Sequence, residues 1–194
     1  MAKKSLGART LAGPLPAWLI GSYDAAGKPN IMTAAWCGIC CSKPPEVSVS
    51  LRAATYSHAQ IMARRAFTVS VPPASLVREV DFAGLASGRD GDKFAASGLT
   101  PVRSELVDAP YVAECPLVLE CKVVHVHELG LHTQFIGEIL DVKAEEAALD
   151  TEGKLIPEAL AMIAYLGEFR AYFPLGPSIG KSFAIGRELL EKKP

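Results

Sequence analysis

Two long strand signals, Leu117 to His127 and His132 to Val142, flank a short link at Gly130, and they constrain the fold more than any other feature. Strand formers on both sides of so short a link predict a long antiparallel pair. A second hairpin precedes it. Ala17 to Tyr23 reads as a strand, Asp24 to Pro29 as a turn, and Asn30 to Trp36 as the returning strand. After Pro44-Pro45, the stretch EVSVSL alternates, with Val47, Val49 and Leu51 on one face. Phe67 to Val71 is a further strand, ended by Pro72-Pro73.

Helices are short and sit between these strands. Ser57 stands three residues before Gln60, ahead of the run HAQIMARR, which is the spacing of a capping box with Ser57 as cap. Ser75 to Ala86 sets Leu76, Val80, Ala83 and Leu85 on one stripe, and Asp92 to Ala96 reads as a helical turn closed by Gly98. Beyond Ala144 the pattern weakens into a short helix, a Thr151-Glu152-Gly153 turn, a helix over Pro157 to Tyr165 and a Gly/Pro-rich end. The expected fold class is mainly β with α (α+β), an antiparallel barrel, closed or partly closed, with peripheral helices. One domain over 1–194 is expected, with its core at about 10–145 and a C-terminal elaboration at about 146–194.

Composition excludes several classes. Hydrophobic residues at 49% exclude global disorder, and a net charge of −1 argues against a nucleic-acid binder, which needs a basic face. The basic pairs Lys3-Lys4 and Lys192-Lys193 read as solvated tails. No apolar run approaches the ~20 residues that span a bilayer. The N-terminal segment imitates a signal peptide, but Pro14 and Pro16 interrupt its apolar run and it leads straight into a strand, so a cytoplasmic location is expected. Five cysteines, three of them crowded at Cys37, Cys40 and Cys41, fit reduced thiols rather than a disulfide framework.

Three tempting motifs fail. Gly176 to Ser182 imitates a P-loop, but three residues separate its glycines where four are required, and too little chain follows to complete a nucleotide-binding sheet. Cys37-Gly38-Ile39-Cys40 has redox or zinc spacing, but no helix start follows to lower a thiol pKa, so buried or half-buried thiols are expected. His125 and His127 share a strand face without spaced partners to complete a metal site, and an exposed polar face is the expectation.

One constellation survives. Ser50, Arg52, Thr55 and Ser57 lie at a strand end and a helix start, where an anion meets backbone N–H groups, hydroxyls, a helix dipole and a guanidinium. Capping by Ser57 and solvation of Arg52 explain the same residues without a ligand. Thr33 to Trp36 adds small residues and one aromatic surface.

The segments GSYDAAGKPNIMTAAW, GICCSKPP, VSLRAATYS, RRAFTVSVPP, DKFAASGLTPVRSELVDAPYV, CPLVLEC and LGLHTQFIGEILDVK, with AIGREL near the end, resemble the flavin reductase-like family, and within it the flavoredoxins. That resemblance implies an FMN-binding split β-barrel and a homodimer with one non-covalently held FMN per subunit. It implies that Ser50, Leu51 and Arg52, with Thr55, Tyr56 and Ser57, hold the phosphate and ribityl chain, and that Asn30, Thr33, Ala34, Ala35 and Trp36 border the flavin. Lys93 and Phe94 in the DKF segment, His132, and Tyr165 correspond to further flavin-contacting positions. A charged Lys93 or a protonated His132 would stabilise negative charge on reduced flavin.

Three functions follow from the resemblance. The chain is an FMN-dependent electron carrier serving a redox protein, or an NAD(P)H-dependent flavin reductase, or a flavin-free scaffold. No metal, nucleic acid or membrane is expected, and no catalytic residue is assigned.

Overall fold

The computed structural model describes residues 1–191, so Lys192 and Lys193 lie outside the described residues. Strands and helices are numbered in chain order. The expected long pair forms: β9 (Leu117–Leu129) and β10 (His132–Ala144) run antiparallel. They are joined through Gly130, whose φ of 58° suits a residue without a Cβ.

Around this pair the sheet has seven strands, in the order β3 (Pro29–Ala34), β2 (Trp18–Tyr23), β6 (Ala66–Val71), β9, β10, β5 (Pro45–Arg52), β4 (Cys37–Ser42). All neighbours are antiparallel and the sheet does not close on itself. This is the split-barrel form of the expected fold class. The alternation in EVSVSL holds, since Val47, Val49 and Leu51 are buried while Ser48 and Ser50 are only half-buried.

Val47, Val49 and Leu51 join Ile20, Phe67, Val69, Cys121 and Phe135 in the main core. Phe67 fits because Gly137 lies across from it: a Cβ there would sit 2.5 Å from the phenyl ring. A second core lies between β2, β3 and two helices, α2 (Val77–Leu85) and α3 (Lys93–Ser97), and includes Leu19, Ile31, Val80, Ala83 and Phe94. Smaller pairings complete the fold. β7 (Pro101–Arg103) pairs β8 (Pro110–Val112), and β1 (Leu15–Pro16), β11 (Ile163–Leu166) and β12 (Ala171–Pro174) form a three-stranded sheet.

Several expectations need correction. Helix α1 (Tyr56–Arg64) starts before Ser57, and its N-cap is Thr55. Ser57 is buried and accepts a hydrogen bond from Asn30 Nδ2 at 2.9 Å, so the capping box does not form. Beyond the expected elements, the segment after Trp36 is a strand, β4, because β5 supplies a partner for it. Pro157 to Tyr165 is not one helix: a single 3-10 turn covers Pro157–Leu160, and Ile163–Leu166 pairs as β11. Leu85 leaves its stripe and is 80% exposed. Cys40 is exposed, whereas Cys37 and Cys41 are half-buried and Cys115 and Cys121 are buried.

His125 and His127 stand on an exposed part of β9 with ring centroids 6.1 Å apart. No group of three His, Cys, Asp or Glu side chains suited to a metal occurs among the described residues. Among the same residues, no helix is long and apolar enough to cross a membrane.

Candidate functional site

The first turn of α1 is the anchor of the site. Thr55 takes the extended N-cap conformation, yet its hydroxyl donates backwards to the Arg52 carbonyl at 2.9 Å and caps nothing. The N–H groups of the first turn therefore point outward at the positive end of the helix, an arrangement that suits an anion. A cleft of about 270 Å³ opens there, lined by Thr55, Tyr56, Ser57, Gly84, Arg89 and Lys93.

Lys93 lies only 5% exposed and donates to the Ala83 carbonyl at 2.8 Å. Burial lowers its pKa to about 8, so at neutral pH the amine is still largely charged. Arg89 was not foreseen. Its guanidinium lies over the Tyr56 ring, 5.6 Å from the centroid, and donates to the Ala54 carbonyl at 3.0 Å. The signal for it was the basic residue in the loop SGRDGD, which lies just before the segment that supplies Lys93.

Gly88 lets this loop close on the sheet. A Cβ there would meet Asn30 Oδ1 and Tyr56 Cδ1, both at 2.4 Å. Asn30 is 4% exposed, and its Oδ1 finds no hydrogen-bond partner among the described residues. The open helix start and the buried amine beside it suit an anionic occupant of the cleft.

At Gly84 the first cleft meets a second of about 220 Å³, lined by Thr33, Ala35, Tyr165 and Tyr172. The Thr33 hydroxyl donates to the Val80 carbonyl, which ties β3 to α2. The rings of Tyr165 and Tyr172 lie tilted by 38° with centroids 5.1 Å apart. Burial first, and then the hydrogen bond to Asp81, pushes the Tyr172 hydroxyl up to about 12, so it remains a neutral donor. Tyr165 also borders a third cleft, of about 370 Å³, whose far wall is Trp36.

Trp36 is 45% exposed, with its ring centroid 4.5 Å from that of His132. Its carbonyl accepts from the Ser50 N–H at 2.9 Å. The Arg52 side chain, exposed at the end of β5, is the cross-strand neighbour of His132.

The candidates thus divide. Thr33, Ala35, Trp36, Thr55, Tyr56, Ser57, Lys93 and Tyr165 line one chain of clefts. His132 and Arg52 sit beside its Trp36 end. Asn30 and Ser50 support the wall from behind. Ala34, Leu51 and Phe94 point into the cores and line none of these clefts.

Known proteins agree with this fold. The family model described as "Flavin reductase like domain" matches residues 12–171. The structure of flavoredoxin from Desulfovibrio vulgaris (Miyazaki F) is similar, with a TM-score of 0.91 and 50% identity, covering 95% of this chain and 100% of that one. A flavoredoxin from Methanosarcina acetivorans has a TM-score of 0.87 and 28% identity, covering 97% of this chain and 98% of its own. An uncharacterised protein of Archaeoglobus fulgidus is 39% identical over 137 residues, 71% of this chain and 76% of the relative. With its family model matched over most of its length, the chain belongs to the flavin reductase-like family.

Proposed function

We propose that the chain binds FMN without covalent attachment along these clefts and passes electrons through it. One observation carries the reading: an open helix start with Lys93 and Arg89 at one end of a groove that runs past Gly84 to Tyr165 and Trp36. An anion fits the first end, and a planar aromatic ring fits the second. The flavoredoxin likeness, at half the residues identical, supports a flavin as the ligand.

When bound, FMN supplies the electron chemistry through its isoalloxazine ring. The chain's residues bind and orient it. The first-turn N–H groups of α1, with Lys93 and Arg89, would hold the phosphate. Thr33 and Ala35 would border the ring, while Tyr165, Trp36 and His132 would limit the access of water. Lys93, charged at neutral pH, would also favour negative charge accumulating nearby.

The flavoredoxin likeness favours an electron carrier serving a redox protein, and the name of the wider family favours a reductase driven by NAD(P)H. Mixing the FMN-loaded protein with NADH or NADPH in a stopped-flow instrument separates them. Bleaching at a rate that sustains turnover supports the reductase, and no bleaching supports the carrier. The reading extends to a homodimer, which the resemblance to the flavoredoxins implies. Sedimentation at a monomer mass would contradict that.

A further inference from the structure

Three consecutive residues of α1 tie its first turn to the β2–β3 turn, to β3 and to β10. The Tyr56 hydroxyl donates to Asp24 Oδ2 at 3.1 Å, and Ser57 accepts from Asn30. His58 Nε2 lies 2.8 Å from Thr133 Oγ1, and that hydroxyl lies 3.0 Å from Glu128 Oε2. The last chain has a fixed polarity. A carboxylate can only accept, so the single Thr133 proton is used on Glu128, and His58 must donate its Nε2–H to Thr133.

Thr133 is buried, Glu128 is exposed on β9, and the two are cross-strand partners on the β9–β10 ladder. The His58 ring also meets Phe135 edge-on at 5.3 Å, which holds its plane. The strand position after His132 is thereby fastened to the turn whose N–H groups form the anion end of the groove.

We propose that Glu128, acting through Thr133 and His58, is a positioning relay that preorganises the first turn of α1 for the flavin phosphate. This inference rests on the proposed flavin role. Its physical content is that a cradle ordered before binding loses less freedom when the ligand arrives. None of the three residues need touch the flavin.

The test uses FMN titrations of the full chain and amide hydrogen exchange of its first α1 turn. His58→Ala and Thr133→Val should each raise the FMN dissociation constant roughly three- to tenfold, the range one buried hydrogen bond spans. Thr133→Ser keeps the hydroxyl and His58→Gln keeps an N–H donor at a similar reach, so both should restore wild-type affinity. The double variant H58A/T133V should be no weaker than either single one, because both break the same chain. Exchange at Gln60 to Met62, whose amides close the helix onto the carbonyls of Tyr56 to His58, should quicken in H58A and T133V and return to normal in H58Q.

Wild-type affinity in H58A and T133V, equal weakness of H58Q and H58A, or additive losses in the double variant would each overturn the relay. Wild-type protein that takes up no FMN refutes the flavin role instead. In that case unchanged exchange in T133V refutes the positioning as well.

Discussion

His132 faces Arg52 across the β5–β10 ladder while its imidazole lies 4.5 Å from the ring of Trp36. The strand end thus presents a guanidinium, an imidazole and an indole together, just before the chain turns into α1. The phosphate is assigned to the α1 end, so Arg89→Ala should weaken FMN binding by about 1–3 kcal/mol, the worth of a charge-assisted hydrogen bond, and Arg52→Ala, beside the Trp36 end, should weaken it less. Fluorescence titration measures it. A larger loss in R52A than in R89A would move the phosphate contact from Arg89, which lines the cleft itself, to Arg52.

Lys93 sets a pH dependence. Its amine is charged below about 8 and neutral above, so affinity for FMN should fall as pH rises through 8. Lys93→Met should bind FMN more weakly at pH 7 and lose that dependence. Without ligand the sign reverses: the folded pKa lies below the ordinary 10.5, so the unfolded chain holds more protons between about 8 and 10.5. Stability from this group therefore rises with pH across that window, which pH-resolved denaturant titrations can follow.

The strands of the core were legible because their periods were intact. EVSVSL alternates, and the runs around Gly130 are joined by too short a link for anything but a hairpin. β4 was hidden because CGICCS lacks β-branched residues apart from Ile39, and its strand state depends on pairing with β5. Ser57 was misread as a cap because its competitor, Asn30, lies 27 residues upstream and arrives only through the fold. Ile163–Leu166 suited a helix locally, but Leu15–Pro16 and Ala171–Pro174 claim it as a strand. The groove itself was legible in its residue types and not in its path, since Gly84 and Arg89 belong to no periodic pattern.

Gly88→Ala tests how closely the loop of Arg89 must approach the sheet. With Asn30 Oδ1 and Tyr56 Cδ1 both 2.4 Å from the added carbon, the loop has to move. A loss of about 1–3 kcal/mol in stability is expected, the usual cost of overpacking. Weaker FMN binding should accompany it. Thermal unfolding and titration of one preparation read both, and wild-type values in each would refute the close approach.

The cysteines give a prediction that separates burial from redox chemistry. Burial pushes the Cys37 thiol up to about 12 and also raises Cys115 and Cys121. At neutral pH a maleimide should modify Cys40 first, while Cys37, Cys115 and Cys121 react only after unfolding. Rapid labelling of Cys37 in the native protein, read by peptide mass mapping, would contradict this.

The most direct test of the account is an FMN titration of the purified protein, followed by flavin fluorescence and visible absorbance. Saturable uptake of one FMN per chain is expected, or protein already yellow whose pigment is released as FMN on denaturation. A colourless protein that leaves FMN fluorescence unchanged through the titration would contradict it.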